Sequence, residues 1–328
     1  MVKVFRKKSV SAVIFLIILA LLTHLHFFFS IPRVVISDDD GFLSYLLRKY
    51  ISPIDSTYIF ILYIVLLIIQ SIRLNYVLND AKMFHNPGYT PAMCYILLSA
   101  FLPQWCSLTP AMVSNSLVIW IFIKLIKLYN NQNPKTLLFN AGLIVGLTIL
   151  SYHPTAILII VVLFALTVVR PFRLAEWMVL IIGIITPYYF LLSILFLTNQ
   201  WHLLYHFIPD MALNLPILHP DLWFWIDLGL MALLLILGLL YWSPSNRRFV
   251  IQIRKYWGVM MVMLLIETVI PFIFLNAGVE ASFLWMVPLA AFISNFFQNS
   301  KKLWFPNLIF WMAMALIIHN NWIFLKIL

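Results

Sequence analysis

Charged residues are scarce in this 328-residue sequence, where they make up only 10% of the chain. Soluble domains carry about 25% charged residues, and a disordered chain combines high charge with few apolar residues. Here 64% of the residues are hydrophobic, which excludes both classes. The chain also lacks a polar stretch long enough to form a soluble module. We therefore expect a single integral membrane domain over residues 1–328.

Cysteine is nearly absent as well, with only Cys94 and Cys106, so neither a metal-ligand pattern nor a disulfide framework is expected. The N-terminal segment 1–8 carries four basic residues before a long apolar run. A cleaved signal has a shorter apolar core and a small-residue cleavage site. We expect this run to be an uncleaved first span.

Long apolar runs dominate the rest of the sequence. A membrane-spanning helix needs ~20 mostly apolar residues. Runs of this kind predict an all-α, polytopic transmembrane bundle of about eleven spans. They lie near residues 9–30, 57–78, 90–104, 108–128, 136–151, 154–170, 175–198, 222–242, 257–276, 282–297 and 303–321.

The distribution of basic residues predicts the orientation. With the N-terminus inside, all but four of the 21 Lys and Arg residues fall in or beside inner loops. The four exceptions are Arg33, Arg48, Lys49 and Lys326. Such asymmetry is typical of inner-membrane proteins, whose cytoplasmic loops are enriched in Lys and Arg. The sequence predicts an N-in, C-out topology.

Two outer loops are longer than a turn. In the first, residues 31–56, an acidic run at Asp38, Asp39 and Asp40 precedes the segment 41–51. That segment would place Phe42, Leu43, Leu46, Leu47, Tyr50 and Ile51 on one helical face. It predicts a short helix lying in the outer interface. The second loop, residues 199–221, contains aromatic residues and histidines but no Lys or Arg.

The acidic run is the sharpest local signal for chemistry. A carboxylate at the membrane rim can act as a general base toward a hydroxyl, or share a divalent cation with a neighbour. The alternative is structural, because Asp favours helix N-caps and the helix dipole stabilises negative charge there. Both interpretations stay open from the sequence.

Glu267 is a second candidate, because it lies about midway through the predicted ninth span. An acid at that depth costs about 2.5–3.5 kcal/mol unless it is neutral or paired. It could couple a substrate to transport, or form a structural hydrogen bond with Asn115, Ser193 or Tyr188. Asp227 is shallower and would face the outer side.

Seven of the histidines lie near the predicted outer side of the membrane. They are His24, His26, His153, His202, His206, His219 and His319. A haem site is not expected, because His24 and His26 are two residues apart and would not share a helix face.

The stretch 137–158 contains Ala141-Gly-Leu-Ile-Val-Gly-Leu147, followed by His153-Pro-Thr155. It resembles a recurrent pattern of C-type glycosyltransferases, polytopic enzymes that use lipid-phosphate-linked sugars. In those enzymes a basic residue precedes Pro-Thr, and here His153 takes that position. The order of first span, acidic outer loop, interfacial helix and second span is also similar. The resemblance covers about residues 9–200, so residues 1–200 would form the enzyme-like core and 201–328 additional helices.

The resemblance implies a polyprenyl-phosphate sugar as donor, used on the outer, periplasmic face. One of Asp38, Asp39 and Asp40 would be the catalytic base. The resemblance implies that the donor binds at the outer rim. Candidates there for binding the donor phosphate are Arg33, Arg48, Lys49, His153 and His206. A binding group is needed because this leaving group gains charge as the sugar bond breaks. A divalent cation is left open as cofactor.

The expected partners are the lipid-linked donor and membrane lipids; nucleic acid is not expected, and protein partners are left unspecified. The chain as a whole also looks like a family of uncharacterised bacterial inner-membrane proteins, on the segments 169–177 and 185–190. Two other functions remain open: a transporter that uses Glu267, and a non-catalytic subunit of a membrane complex.

Overall fold

The computed structural model of this protein describes residues 1–30, 32–36, 41–209, 222–274 and 278–327, with the side chains of 205, 206 and 322–327 excepted. The described chain is 79% helical and contains no strand. The expectation of an all-α fold is confirmed.

Fourteen α-helices make up the described part of the chain. They are α1 (Val2–Phe5), α2 (Val10–Thr23), α3 (Phe42–Leu46), α4 (Ser56–Asp80), α5 (Thr90–Ser99), α6 (Pro110–Ile126), α7 (Pro134–Ser151), α8 (Leu158–Val169), α9 (Leu174–Leu197), α10 (Leu222–Arg247), α11 (Ile251–Glu267), α12 (Ile270–Ile273), α13 (Met286–Asn299) and α14 (Trp304–Ile327). Every predicted span overlaps at least one of them.

Six helical stretches in the described chain are long and apolar enough to cross a membrane. They are Ser56–Asp80, Pro134–Ser151, Leu174–Leu197, Leu222–Arg247, Ile251–Ile273 and Val279–Asn299. Several apolar residues on these helices are exposed, including Leu197 at 80% and Ile185 at 55%. Apolar side chains can face outward in this way when lipid surrounds the protein. The chain is a multi-pass membrane protein.

Local sequence explains where several helices begin. Ser9 Oγ accepts a hydrogen bond from Ala12 N at the start of α2, and Thr109 Oγ1 accepts one from Met112 N at the start of α6. These caps satisfy backbone N–H groups that the helix itself leaves unpaired. Pro110 and Pro134 occupy the first helical position, where the missing N–H costs nothing.

Two central helices form the core of the bundle. All residues of α5 are buried, and so is nearly all of α13. The two helices are joined by a hydrogen bond from Thr90 Oγ1 to Gln298 Oε1 at 2.9 Å. Gly238 lets α10 approach the backbone of α13 at Phe292, where a Cβ atom would collide with a carbonyl. Helices α1, α2, α4, α6, α10 and α11 pack against this pair, whereas α9 packs against α7.

Hydrogen bonds between distant loops define one end of the bundle. Tyr89 N donates to Phe5 O at 2.6 Å, and Gln298 Nε2 donates to Asn86 O at 3.0 Å. Trp257 Nε1 donates to Met83 O at 3.2 Å. We call this the basic end, because most Lys and Arg residues lie in its segments, which are 1–8, 81–89, 127–135, 170–173, 247–255 and 300–303.

Other bonds define the opposite end, which we call the histidine end. Leu108 N donates to Arg33 O at 3.0 Å, Trp105 Nε1 to Ser282 Oγ at 3.0 Å, and Asn321 Nδ2 to Thr23 O at 3.0 Å. Its described segments are 24–30, 32–36, 41–55, 100–109, 151–157, 198–209, 268–274, 278–285 and 319–321. Successive long helices therefore run alternately between two chemically different ends.

Candidate functional site

The acidic run Asp38–Asp40 lies outside the described residues, but the chain is anchored on both sides of it. Before the run, Val35 N donates to Leu108 O at 3.3 Å, next to the bond that Arg33 O accepts. After it, Gly41 lies against the carbonyl groups of residues 150 and 151 at the end of α7. Both anchors belong to the histidine end.

Gly41 is the N-cap of α3 and has a φ of 116°. This backbone conformation favours glycine. A Cβ atom here would also lie 2.8 Å from Ser151 O, so the close approach to α7 requires a residue without a side chain. Gly41 holds the N-cap position, and the three aspartates lie outside the described residues, so the interpretation that they serve as a helix cap stays a prediction.

The predicted interfacial helix is present in part. Helix α3 continues into a π-helical turn, Leu47–Ile51. Leu47 is buried, and Leu43 and Ile51 pack against the core. Phe42 and Tyr50 were expected on the same face, but they are exposed. The π-turn changes the periodicity from 3.6 residues after Leu46, so an ideal helix does not describe the positions of Tyr50 and Ile51.

A cavity of about 210 Å³ opens beside the first anchor. It is lined by His26, Phe27, Ser30, Pro32, Arg33, Val35, Pro103, Gln104, Cys106, Ser107, Glu280 and Asn321. Two buried polar atoms in this lining, His26 Nδ1 and Gln104 Oε1, have no hydrogen-bond partner among the described residues. Burial raises the pKa of the Cys106 thiol to about 12, which makes it a poor nucleophile. The cavity therefore offers polar groups for binding rather than an activated thiol.

The five candidate phosphate-binding residues have different surroundings. Arg33 is exposed and lines the cavity. Arg48 and Lys49 are exposed on the π-helical turn. Lys49 Nζ donates to Tyr45 OH at 3.1 Å, and this bond raises the pKa of Lys49. His153 is buried in the 3₁₀ segment His153–Ile157. The backbone of His206 belongs to the 3₁₀ segment Trp201–Phe207, and its side chain lies outside the described atoms.

The described geometry brings these candidates to one end of the bundle but does not join them in one cavity. Of the five, Arg33 alone lines the 210 Å³ cavity in the described part of the chain. The 151–157 turn that contains His153 is linked to the acidic run through Gly41. Arg33 therefore lies in the described segment before the run, and the end of α7 contacts Gly41, the first described residue after it.

The glycine pattern that supports the family resemblance has a packing role. Gly142 and Gly146 on α7 face α9 so closely that a Cβ atom on either would collide with α9 backbone carbonyls. Gly183 on α9 makes the reciprocal approach to α7. Small residues commonly mediate close helix contacts in membranes. This packing fixes the end of α7, where Gly41 is anchored.

A buried polar network at the histidine end is absent from the sequence-based predictions. Tyr63 OH donates to Trp105 O at 3.1 Å and lies 3.2 Å from His24 Nε2. The imidazoles of His24 and His26 lie with ring centroids 6.1 Å apart. The expectation that they diverge is wrong, because α2 ends at Thr23 and residues 25–28 wind into a 3₁₀ helix. Only the spacing of polar residues in apolar runs could have signalled this network.

The two intramembrane acids have different surroundings. Asp227 is 2% exposed, and its Oδ2 accepts a bond from Asn320 Nδ2 at 2.6 Å. Glu267 is the last residue of α11 and is fully buried. Neither of its carboxyl oxygens has a hydrogen-bond partner among the described residues. The predicted bond to Asn115, Ser193 or Tyr188 is therefore wrong.

Two of the three residues that were proposed to pair with Glu267 form other hydrogen bonds. Asn115 Nδ2 donates to Tyr95 OH and to Phe283 O, and Ser193 Oγ donates to Tyr189 O.

In the described part of the chain, no three His, Cys, Asp or Glu side chains could together hold a metal ion. Comparison with known proteins adds no further residue roles: no family model, no curated protein and no solved structure matches this chain.

Proposed function

We propose that this protein is a membrane glycosyltransferase of the C type, which transfers a sugar from a polyprenyl-phosphate donor on the outer, periplasmic face. The observation that carries the proposal is the double anchoring of the acidic run. Its described flanks are fixed to Leu108 on one side and to the end of α7 on the other. A general base must be held within hydrogen-bond reach of its hydroxyl, and anchored flanks favour this.

In this proposal one of Asp38, Asp39 and Asp40 takes the proton from the acceptor hydroxyl. Arg33, Arg48, Lys49, His153 and His206 bind the donor phosphate, whose charge grows as the sugar bond breaks. The exposed guanidinium of Arg33 supports this role, because it has no hydrogen bond or ion pair with another described residue. A divalent cation would depend on the acidic run itself, and the proposal leaves its involvement open.

We further propose eleven membrane spans, with the N-terminus inside and the C-terminus outside, in a bacterial inner membrane. The concentration of Lys and Arg at the basic end supports this orientation. Gln132 is exposed at that end. A Gln132→Cys variant should resist a membrane-impermeant thiol reagent added to intact cells, whereas Leu215→Cys should react. The native thiols are both buried and should give little background. The reverse labelling pattern would invert the topology and put the acidic run inside.

Substitution of each aspartate in turn tests the enzymatic role. Asn keeps the size of Asp but cannot accept a proton. We expect one of Asp38→Asn, Asp39→Asn and Asp40→Asn to lose about 10²–10⁴-fold in glycan production. The other two should be much milder. Cellular glycan products and protein level in the membrane would both be measured.

Asp55→Asn is the matched control, because Asp55 is an exposed acid of the same outer segment, beyond the interfacial helix. It should behave as wild type. If the three single variants and the triple variant all kept normal glycan production, the glycosyltransferase assignment would have to be abandoned.

A transporter is the second candidate function, and the burial of Glu267 without a described partner favours it. However, Glu267 lines neither the 210 Å³ cavity nor a larger one at the basic end. Retention of glycan production in every aspartate variant, with loss of activity on changing Glu267, would favour the transporter. A non-catalytic subunit would tolerate both sets of changes.

A further inference from the structure

A second, larger cavity lies at the basic end, at the opposite end of the bundle from the 210 Å³ cavity. Its volume is about 650 Å³. It opens between the last turn of α10, the turn at residues 300–303 and the start of α14. Its chemically distinctive lining consists of three cations and three aromatic residues: Arg248, Lys301, Lys302, Tyr241, Trp304 and Phe305.

The three cations have no internal counter-charge. All three are exposed, and none of their side-chain cations makes a hydrogen bond or an ion pair with another described residue. The acid Glu176 at this end is already paired with Arg170 at 2.9 Å. Like charges around one cavity repel each other and attract an anion. The cavity therefore carries a net positive charge that favours the binding of an anionic ligand.

Ser245 and Asn299, two neutral polar residues that line the cavity, are already hydrogen-bonded, and His85, which also lines it, stacks on Phe249 with ring centroids 4.1 Å apart. Asn299 Nδ2 donates to Ser245 Oγ at 3.3 Å, and Ser245 Oγ donates to Tyr241 O at 3.0 Å. These bonds hold the end of α10 against the end of α13. Recognition must therefore come mainly from the cations.

The aromatic residues indicate where the ligand comes from. Trp304 is 71% exposed and stacks on Phe305 with ring centroids 6.3 Å apart. Both stand at the start of α14, where the chain enters its last apolar helix. Aromatic residues are enriched at headgroup level in membranes. A ligand that contacts both the cations and these rings needs a charged head and an apolar tail.

We propose that this cavity binds the phosphate of an anionic phospholipid headgroup, with the acyl chains lying along Trp304 and Phe305. Basic pockets between transmembrane helices on the cytoplasmic side bind such headgroups in other membrane proteins. A free phosphate compound would use the same cations but would gain nothing from the aromatic rim. The site is independent of the proposed glycosyltransferase activity.

Native mass spectrometry of the full-length protein in detergent would test the proposal. The protein would be titrated with dioleoyl phosphatidylglycerol, with neutral dioleoyl phosphatidylcholine and with inorganic phosphate. Each Lys or Arg near an anionic headgroup contributes about fivefold in affinity. We therefore expect Arg248→Gln/Lys301→Gln/Lys302→Gln to weaken the first phosphatidylglycerol binding event by about 100-fold.

Lys7→Gln/Lys127→Gln/Lys135→Gln is the matched control, because it removes the same charge from exposed positions of the basic end outside the cavity. It should weaken binding only slightly, and Arg248→Lys should retain it. Equal weakening by the control triple would overturn the proposal, as would equal binding of phosphatidylcholine. Displacement of the lipid by low millimolar inorganic phosphate would overturn the lipid as the source of the phosphate. The variant side chains are exposed and unpaired, so both triples should fold, which circular dichroism would verify.

Discussion

The two ends of this helical bundle use polar residues in opposite ways. At the basic end the cations are mostly exposed, as Arg173 is with 66% of its side chain accessible. At the histidine end Arg33, Arg48 and Lys49 are exposed, but many other polar side chains are buried and hydrogen-bonded, as Asp227 is to Asn320 and Trp105 is to Ser282. The two ends of this hydrophobic bundle therefore differ: exposed cations characterise the basic end, and buried hydrogen bonds characterise the histidine end.

The difference has energetic consequences. Exposed charges interact through a screened, collective field, so that removing one changes little. A buried polar group that loses its partner costs about 1–3 kcal/mol. We therefore expect single substitutions to be tolerated at the basic end and to be harmful at the histidine end. The exceptions at the basic end are the few cations that are partly buried.

Arg170 is the strongest exception and should give the largest effect. Its Nε lies 2.9 Å from Glu176 Oε2, and its Nη1 donates to Leu128 O and Asn131 O. Since the Glu176 side chain is only 4% exposed, Arg170→Gln leaves a buried acid without its partner. We expect a loss of about 3–5 kcal/mol in unfolding free energy, measured by denaturant or thermal unfolding in detergent.

Arg173→Gln is the control for this prediction, because Arg173 contacts the same glutamate at 3.8 Å from an exposed position. It should cost about 0–1 kcal/mol. The double variant Arg170→Gln/Glu176→Gln should recover part of the loss, because it removes the unpaired acid. Equal effects of the two arginine substitutions would contradict the distinction between buried and exposed cations.

Tyr63 tests the histidine end, with an intermediate effect. Its hydroxyl contacts both Trp105 O and His24 Nε2, and its side chain is fully buried. Tyr63→Phe removes only that oxygen and leaves both partners unsatisfied, so we expect a loss of about 1–3 kcal/mol in unfolding free energy. Tyr58, on the same helix, is 65% exposed, and Tyr58→Phe should change stability by less than about 0.5 kcal/mol. If Tyr63→Phe and Tyr58→Phe changed the unfolding free energy equally, the hydrogen bonds of the Tyr63 hydroxyl would contribute nothing to stability.

The sequence predicts the helices of this protein well because length and hydropathy alone determine them. The second predicted span, 57–78, corresponds to α4 at Ser56–Asp80, and the seventh, 175–198, to α9 at Leu174–Leu197. Where a helix bends or stops is harder to predict. In a helix that is apolar all round, no amphipathic pattern marks the last turn. The predicted first span 9–30 therefore missed the end of α2 at Thr23.

The candidate site was predictable only as a set of residues at one end. Neither the position of Gly41 as N-cap of α3 nor its contact with Ser151 could be predicted from the sequence, because both depend on how α3 packs against α7. The same holds for Glu267, whose sequence position indicated depth but not its neighbours. Contacts between distant segments follow from packing, and packing is not encoded in local periodicity.

Substitution of Glu267 by Gln is expected to change the unfolding free energy least, and it tests the comparison between the two ends of the bundle. Glu267 lies at the end of α11, next to the histidine end, and its buried carboxyl has no described partner, whereas the carboxyl of Asp227 bonds to Asn320. Trp285 Nε1 donates to its backbone carbonyl, a bond that any side chain at this position would preserve. The substitution Glu267→Gln keeps the side-chain size and breaks none of the described hydrogen bonds.

We therefore expect Glu267→Gln to shift the unfolding free energy by less than about 1 kcal/mol and to leave glycan production unchanged. Glu267→Lys would differ, because it would bury a charge that no described residue compensates, and it should prevent stable folding. A well-folded Glu267→Gln protein without activity would mean that the acid itself is used. In that case the unpaired carboxyl would be a coupling site, and transport would replace sugar transfer as the function that best explains the histidine end.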